Sequence, residues 1–99
     1  MDKKDLEQAV VLISKDFHLE LGEFMSYEEL LSKLTKEVTF LLNKDFEKLL
    51  QICYRVDLGE LTLNRLLHET DPEHMSEEIA KSLINRQLQK IELRRKYSS

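Results

Sequence analysis

The sequence predicts an all-α protein folded as a single-domain antiparallel bundle of four or five helices. Only two glycines and one proline occur in 99 residues, and the hydrophobic and charged fractions are 41% and 34%, a composition rich in strong helix formers. Apolar residues recur at steps of three and four along most of the chain, as on one face of an amphipathic helix. This length suits one ordinary domain, so we expect residues 1–99 to share one core and the last two or three residues to fray.

The first predicted helix runs from residue 2 to about residue 17. Its apolar positions follow helical spacing, and they are Leu6, Ala9, Val10, Ile13 and Phe17. Val11 and Leu12 widen this stripe and predict that the helix touches neighbours on two sides. Residues 18–25 break the pattern. We expect a connection centred on Gly22 there, because a single strand would have no partner in this chain.

A second helix is predicted to begin after Ser26, since Ser26 and Glu29 have the spacing of a capping box. Its stripe comprises Tyr27, Leu30, Leu31, Leu34, Val38, Leu41 and Leu42. A second stripe, rotated around the helix axis, comprises Phe46, Leu49, Leu50, Cys53 and Tyr54. We favour a break near Asn43 over one long helix through 27–56, because Asn43 and Asp45 both cap helices well. The apolar segment 40–58 is predicted to be the central packing element.

Two more junctions divide the rest of the chain. Asp57 and Glu60 repeat the capping-box spacing, so we expect one helix to end near Val56 and the next to start at once. That next helix is lined by Leu58, Leu61, Leu66 and Leu67. Asp71 and Pro72 then open the last helix, because proline is favoured at the first helical position, and this helix is predicted to run from about Pro72 or Ser76 to Tyr97. The core stripe of the last helix comprises Met75, Ile79, Leu83, Ile84, Leu88 and Ile91.

Catalytic and metal-binding signals are weak in this sequence. It contains no glycine-rich phosphate loop, serine elbow or paired-cysteine spacing, so we predict no enzymatic activity, no cofactor and no small-molecule substrate. His68 and His74 are six residues apart with a proline between them, which fits an exposed helix junction better than a metal site. The single cysteine, Cys53, excludes an internal disulfide and lies on an apolar stripe, so core packing is expected.

Charge is distributed unevenly along the chain. Residues 1–80 hold 9 basic and 18 acidic residues, a net −9, whereas residues 81–99 hold 6 basic residues and 1 acid, a net +5. Arg86, Lys90 and Arg94 are spaced by four and share one face of the last helix, followed by Arg95. These four cations are the candidate partner-binding residues. They could instead neutralise the acidic body and the dipole of their own helix.

The charge split and the weak catalytic signals together predict a non-catalytic protein–protein interaction module. Self-association through the last helix is one form that this function can take. Nucleic-acid binding by the same basic face is the alternative, and the sequence pI near 5.4 disfavours it. No stretch is long and apolar enough to span a bilayer, and the acidic first residues differ from a signal peptide, so we expect a cytoplasmic protein without membrane contact.

Two stretches of the sequence also resemble a known group. DFEKLLQICYRVD at 45–57 and INRQLQKI at 84–91, followed by RRKY at 94–97, are similar to segments of a small group of uncharacterised helical bacterial proteins. That group has no assigned activity. The resemblance implies a bacterial, cytosolic setting and supplies no site residues.

Overall fold

The computed structural model describes residues 3–20 and 25–97, and within these ranges the chain forms five α-helices. They are α1 (Lys3–Phe17), α2 (Tyr27–Lys44), α3 (Phe46–Val56), α4 (Glu60–Glu69) and α5 (Pro72–Tyr97). The predicted all-α bundle is confirmed. The centre of the connection at Gly22 and the last two residues, which were expected to fray, lie outside the described ranges.

The predicted start of α2 and the predicted break after it are both confirmed. The N–H of Glu29 donates to Ser26 Oγ at 3.2 Å, and the N–H of Ser26 donates to Glu29 Oε1 at 3.4 Å. The break falls at Asp45, whose N–H donates to the Leu41 carbonyl of α2 and whose carboxylate accepts from the Lys48 N–H of α3. One residue therefore ends α2 and begins α3, which separates the two apolar stripes.

The predicted end of a helix near Val56 and the start of another soon after it are confirmed, but the residues that cap this junction differ from the prediction. Asp57 ends α3 in a left-handed conformation, with φ 65° and ψ 47°, and the Leu58 N–H donates to the Cys53 carbonyl at 3.0 Å. This is the hydrogen bond of a Schellman motif, with Asp57 where glycine is usual. α4 begins after Gly59, which has φ 93° and makes no side-chain cap. The predicted Asp57–Glu60 capping box is therefore wrong, because Asp57 terminates α3 and its carboxylate is bound by Arg86.

α5 is the helix around which the others pack. Its 26 residues span about 39 Å at 1.5 Å per residue, close to the 40 Å long dimension of the molecule. It packs against each of the other four helices. The prediction that segment 40–58 is the central element is therefore wrong: that segment is interrupted at Asp45, whereas the apolar stripe of α5 continues from Met75 to Ile91.

The core confirms most of the predicted stripes. Its buried members in the helices are Ala9, Val10, Ile13, Phe17, Leu30, Leu34, Val38, Leu41, Leu49, Ile52, Cys53, Val56, Leu63, Ile79, Ala80, Leu83, Ile84 and Ile91. Four predicted members are instead exposed to between 41% and 81%, namely Val11, Phe46, Tyr54 and Leu61. Each lies at the edge of a stripe or off it, where no neighbouring helix covers the side chain.

Two polar contacts fix the register of α1 against α5. Arg95 Nη1 donates to Asp5 Oδ1 at 3.0 Å, and the buried Gln87 donates through Nε2 to Asp16 Oδ2 at 2.8 Å. The start of α1 thus lies beside the end of α5, so the two helices are antiparallel. Within the described part of the chain, no helix is both long and apolar enough to cross a membrane.

Candidate protein-binding surface

Arg86 is the first candidate cation along α5, and its guanidinium group is hydrogen-bonded to other residues of the same molecule. Arg86 Nε donates to the Asp57 carbonyl at 2.9 Å, and Nη2 donates to Asp57 Oδ2 at 3.0 Å. The third guanidinium nitrogen, Nη1, donates to Gln89 Oε1 at 2.8 Å. Arg86 therefore holds both the backbone and the side chain of the one left-handed residue that ends α3, a conformation that disfavours residues other than glycine.

Lys90, one turn further along α5, binds the same helix end. Its Nζ donates to the Val56 carbonyl at 3.0 Å. The last carbonyls of a helix have no partner within the helix and carry the negative end of its dipole, so two cations there stabilise α3. Arg86 and Lys90 thus neutralise a dipole, as one sequence interpretation held, but the dipole belongs to α3 and not to their own helix. We call this pair the α3 clamp.

Arg95 and Arg94, the other two candidate residues, differ in their surroundings. Arg95 contacts Asp5 of α1, whose side chain is only 13% exposed. Arg94 is exposed to solvent. Three of the four predicted partner-binding cations therefore have an acceptor inside the molecule, and their contact with any second molecule stays a prediction.

The end of α5 presents apolar side chains that sequence reasoning missed. Ile91 is the last buried residue of the helix, and all six residues from 92 to 97 are exposed. We call this segment the α5 tip. Leu93 is 42% and Tyr97 is 84% exposed, and their spacing of four places them on one face with Arg94 beside them. The signal was visible in the sequence, because neither residue belongs to the stripe that ends at Ile91.

A second exposed apolar surface lies on α3. Phe46, Leu50 and Tyr54 are spaced by four, and Phe46 and Tyr54 are 41% and 56% exposed while Leu50 is half-buried. We call these three residues the α3 stripe. One exposed carboxylate borders it, since Glu47 is three residues before Leu50 on the same helix.

Cys53 belongs to the core, as predicted. Its side chain is 1% exposed, and burial raises the pKa of the thiol from 9.0 to about 11. Burial disfavours the thiolate, which is the nucleophilic form of cysteine. Cys53 is therefore held in its unreactive protonated form at neutral pH.

Two carboxylates in the most polar cavity of the described residues are occupied by internal bonds. A cavity of about 440 Å³ lies between the end of α1 and α3, and its lining includes Asp16 and Asp45. Asp16 already accepts from Gln87, and Asp45 from the Lys48 N–H. His68 and His74 are both exposed. Across 3–20 and 25–97, no three His, Cys, Asp or Glu side chains are grouped so that they could hold a metal ion.

Comparison with protein-family models, with curated proteins and with solved structures gave no match to this chain. The geometry of the α3 clamp, the α5 tip and the α3 stripe therefore carries the functional interpretation by itself.

Proposed function

We propose that the protein is a non-catalytic protein–protein interaction module that binds its partner through the α5 tip. The observation that carries this proposal is the exposed pair Leu93 and Tyr97, which lies beyond the last buried residue of α5 and beside Arg94. Tyrosine and arginine are enriched among residues that dominate protein interfaces. A bacterial cytoplasm, implied by the resemblance of segments 45–57 and 84–91, is part of the proposal.

The same geometry explains why the tip is favoured over the whole basic face. Arg86 and Lys90 would have to leave the end of α3 to bind a partner, and truncating or displacing them would leave helix carbonyls without donors. Leu93, Arg94 and Tyr97 make no such contribution to the core, so a partner can cover them without disturbing the fold.

Nucleic acid is the alternative occupant of this face. A nucleic-acid surface of this size would rely on several cations facing the phosphates together. Here, three of the four candidate cations are engaged with Asp57, Val56 and Asp5, which favours the protein partner.

Site-specific photo-cross-linking tests the proposal. Benzoylphenylalanine replaces Tyr97 in one variant and Leu61 in the control, because these two positions are equally exposed, at 84% and 81%, on different helices. We expect position 97 to form adducts that protease destroys and nuclease leaves intact, and Leu93→Ala in the same chain to reduce their yield. Equal yields at positions 97 and 61 would contradict the proposal. Adducts that nuclease destroys, with an affinity for nucleic acid that falls steeply with salt, would establish the alternative.

A further inference from the structure

The α5 tip and the α3 stripe are complementary surfaces on one molecule. The tip joins an apolar pair to the exposed cations Arg94 and Lys96, and the stripe joins three apolar residues to the exposed carboxylate of Glu47. Glu47 lines the cavity shared with α1 together with Lys48 and Arg55, the two cations of α3. Glu47 is three residues from Leu50, whereas neither cation is three or four residues from a member of the stripe, so the carboxylate is the charge beside the stripe. The tip therefore supplies cations and the stripe a carboxylate, and both supply apolar side chains, so the two surfaces are complementary.

We infer that the partner of the α5 tip is a second copy of this chain, which receives the tip on its α3 stripe. This inference rests on the proposed function and names the occupant of the tip. A twofold arrangement lets each copy give its tip and receive the partner's tip, so both contacts form in one closed interface. Leu93 and Tyr97 then pack against Phe46, Leu50 and Tyr54, while Arg94 lies near Glu47 of the partner subunit.

The distribution of exposed apolar residues supports this pairing. Among the described residues, seven large apolar side chains are exposed, and four of them belong to the tip or the stripe. The other three, Val11, Phe40 and Leu61, lie singly on α1, α2 and α4. Scattered single residues are ordinary on a protein surface, whereas apolar residues grouped on one helix face form a patch, and apolar patches are frequent at contact surfaces.

The required area is available on a chain of this size. A standard interface buries about 800 Å² per partner, which is about an eighth of the 6631 Å² surface of this chain. At the tip, the exposed cations Arg94 and Lys96 favour the approach of a second copy with its tip directed at the other body, whose residues 1–80 carry a net −9.

Sedimentation velocity of the full chain over a range of concentrations tests the pairing. We expect a dimer whose dissociation constant rises about tenfold or more with Leu93→Ala plus Tyr97→Ala. Leu61→Ala, at an equally exposed leucine outside both surfaces, should leave it unchanged. A monomer up to about 1 mM, or equal weakening by Leu61→Ala, would overturn the inference.

Exchanging the charges of the two surfaces tests whether the α5 tip of one copy contacts the α3 stripe of the other. Glu47→Lys and the double variant Arg94→Glu plus Lys96→Glu should each weaken the dimer, and all three changes in one chain should restore it. Glu60→Lys is the matched control, since Glu60 is also an exposed acid in a first helical turn. The inference fails if Glu60→Lys weakens the dimer as much as Glu47→Lys, or if the combined variant stays weak.

These results separate the inference from the proposed function. A chain that stays monomeric while position 97 cross-links to another protein overturns the inference and leaves the proposed function standing. A dimer that is indifferent to the tip substitutions, with no excess of adducts at position 97 over position 61, overturns both.

Discussion

Two parts of one helix face have different uses in this molecule. Arg86 and Lys90 hold the end of α3 through its carbonyl groups, whereas Leu93, Arg94 and Tyr97, a turn or so beyond, are exposed. The α3 clamp lies where another helix ends against α5. The α5 tip extends past Ile91, the last buried residue. Helical spacing thus decides which residues share a face, and the neighbouring elements decide whether that face stabilises the fold or remains available to a partner.

Replacing a leucine by alanine should change the free energy of unfolding far more in the packed part of α5 than in its tip. Leu83→Ala removes a side chain that is 0% exposed and should lower the free energy of unfolding by about 2–5 kcal/mol. Leu93→Ala removes a side chain of the same type that is 42% exposed and should lower it by only about 1 kcal/mol in the monomer. Urea unfolding at a concentration where the chain is monomeric measures both.

If Leu93→Ala costs as much as Leu83→Ala in the monomer, the tip is part of the core and the comparison fails. A cost confined to concentrations at which dimers form would support the tip as a contact surface, because association stabilises the folded state by mass action.

The pH dependence of the free energy of unfolding reports how well Cys53 is packed in α3. Its pKa is raised to about 11 in the folded protein, so above pH 9 the unfolded chain loses the thiol proton while the folded chain retains it. The folded state then binds more protons, and the free energy of unfolding should fall between pH 9 and 11 by about 2–3 kcal/mol in total. This stability is fully present below pH 9.

Cys53→Ala isolates that contribution, because the two proteins share every other ionisable group. Urea unfolding at several alkaline pH values should show a steeper loss of stability in the wild-type chain than in Cys53→Ala. Parallel pH profiles would show that the end of α3 does not keep Cys53 from solvent, contrary to its 1% exposure.

The clamp and the tip should also differ in the effect of removing one arginine. Arg86→Met takes the donors from the Asp57 carbonyl and carboxylate and should destabilise the protein by about 1–2 kcal/mol, with part of the loss screened at high salt. Arg94→Met, which keeps a similar apolar stem at an exposed position, should be near neutral. Thermal and urea unfolding at low and high salt provide the comparison.

Asp57→Gly sharpens this prediction. Glycine removes the strain of the left-handed conformation but also removes the carboxylate that Arg86 binds, so the two effects should nearly cancel. A large loss of stability in Asp57→Gly would show that the carboxylate contributes more than the left-handed backbone costs. Equal effects of Arg86→Met and Arg94→Met would contradict the division of the helix face.

Local signals predicted much of the fold. The capping box at Ser26, the break before Phe46 and the stripe of α5 depend on residues within a turn or two of each other, and all three are confirmed. The role of Asp57 depends on Arg86, which is 29 positions away, so the same Asp-x-x-Glu spacing that indicates a cap was misleading. The exposure of Tyr54 and Leu61 likewise depends on which helices cover them.

The candidate surface also depends on contacts between residues that are distant in the sequence. Spacing identified Arg86, Lys90 and Arg94 as one face, but only the packed structure shows that the first two have acceptors at the end of α3. Leu93 and Tyr97 could have been found by asking which apolar residues of α5 fall outside its core stripe. The stripe of Phe46, Leu50 and Tyr54 could not, because in the sequence it merges with the buried positions Leu49 and Cys53.

The most direct test of the division between clamp and tip is the dimer dissociation constant of three chains, measured by sedimentation velocity. The wild-type chain should dimerise, Leu93→Ala plus Tyr97→Ala should weaken the dimer about tenfold or more, and Arg86→Met should retain wild-type association despite its lower stability. Association lost equally in Arg86→Met and the tip variant, or absent from the wild-type chain, would contradict the account.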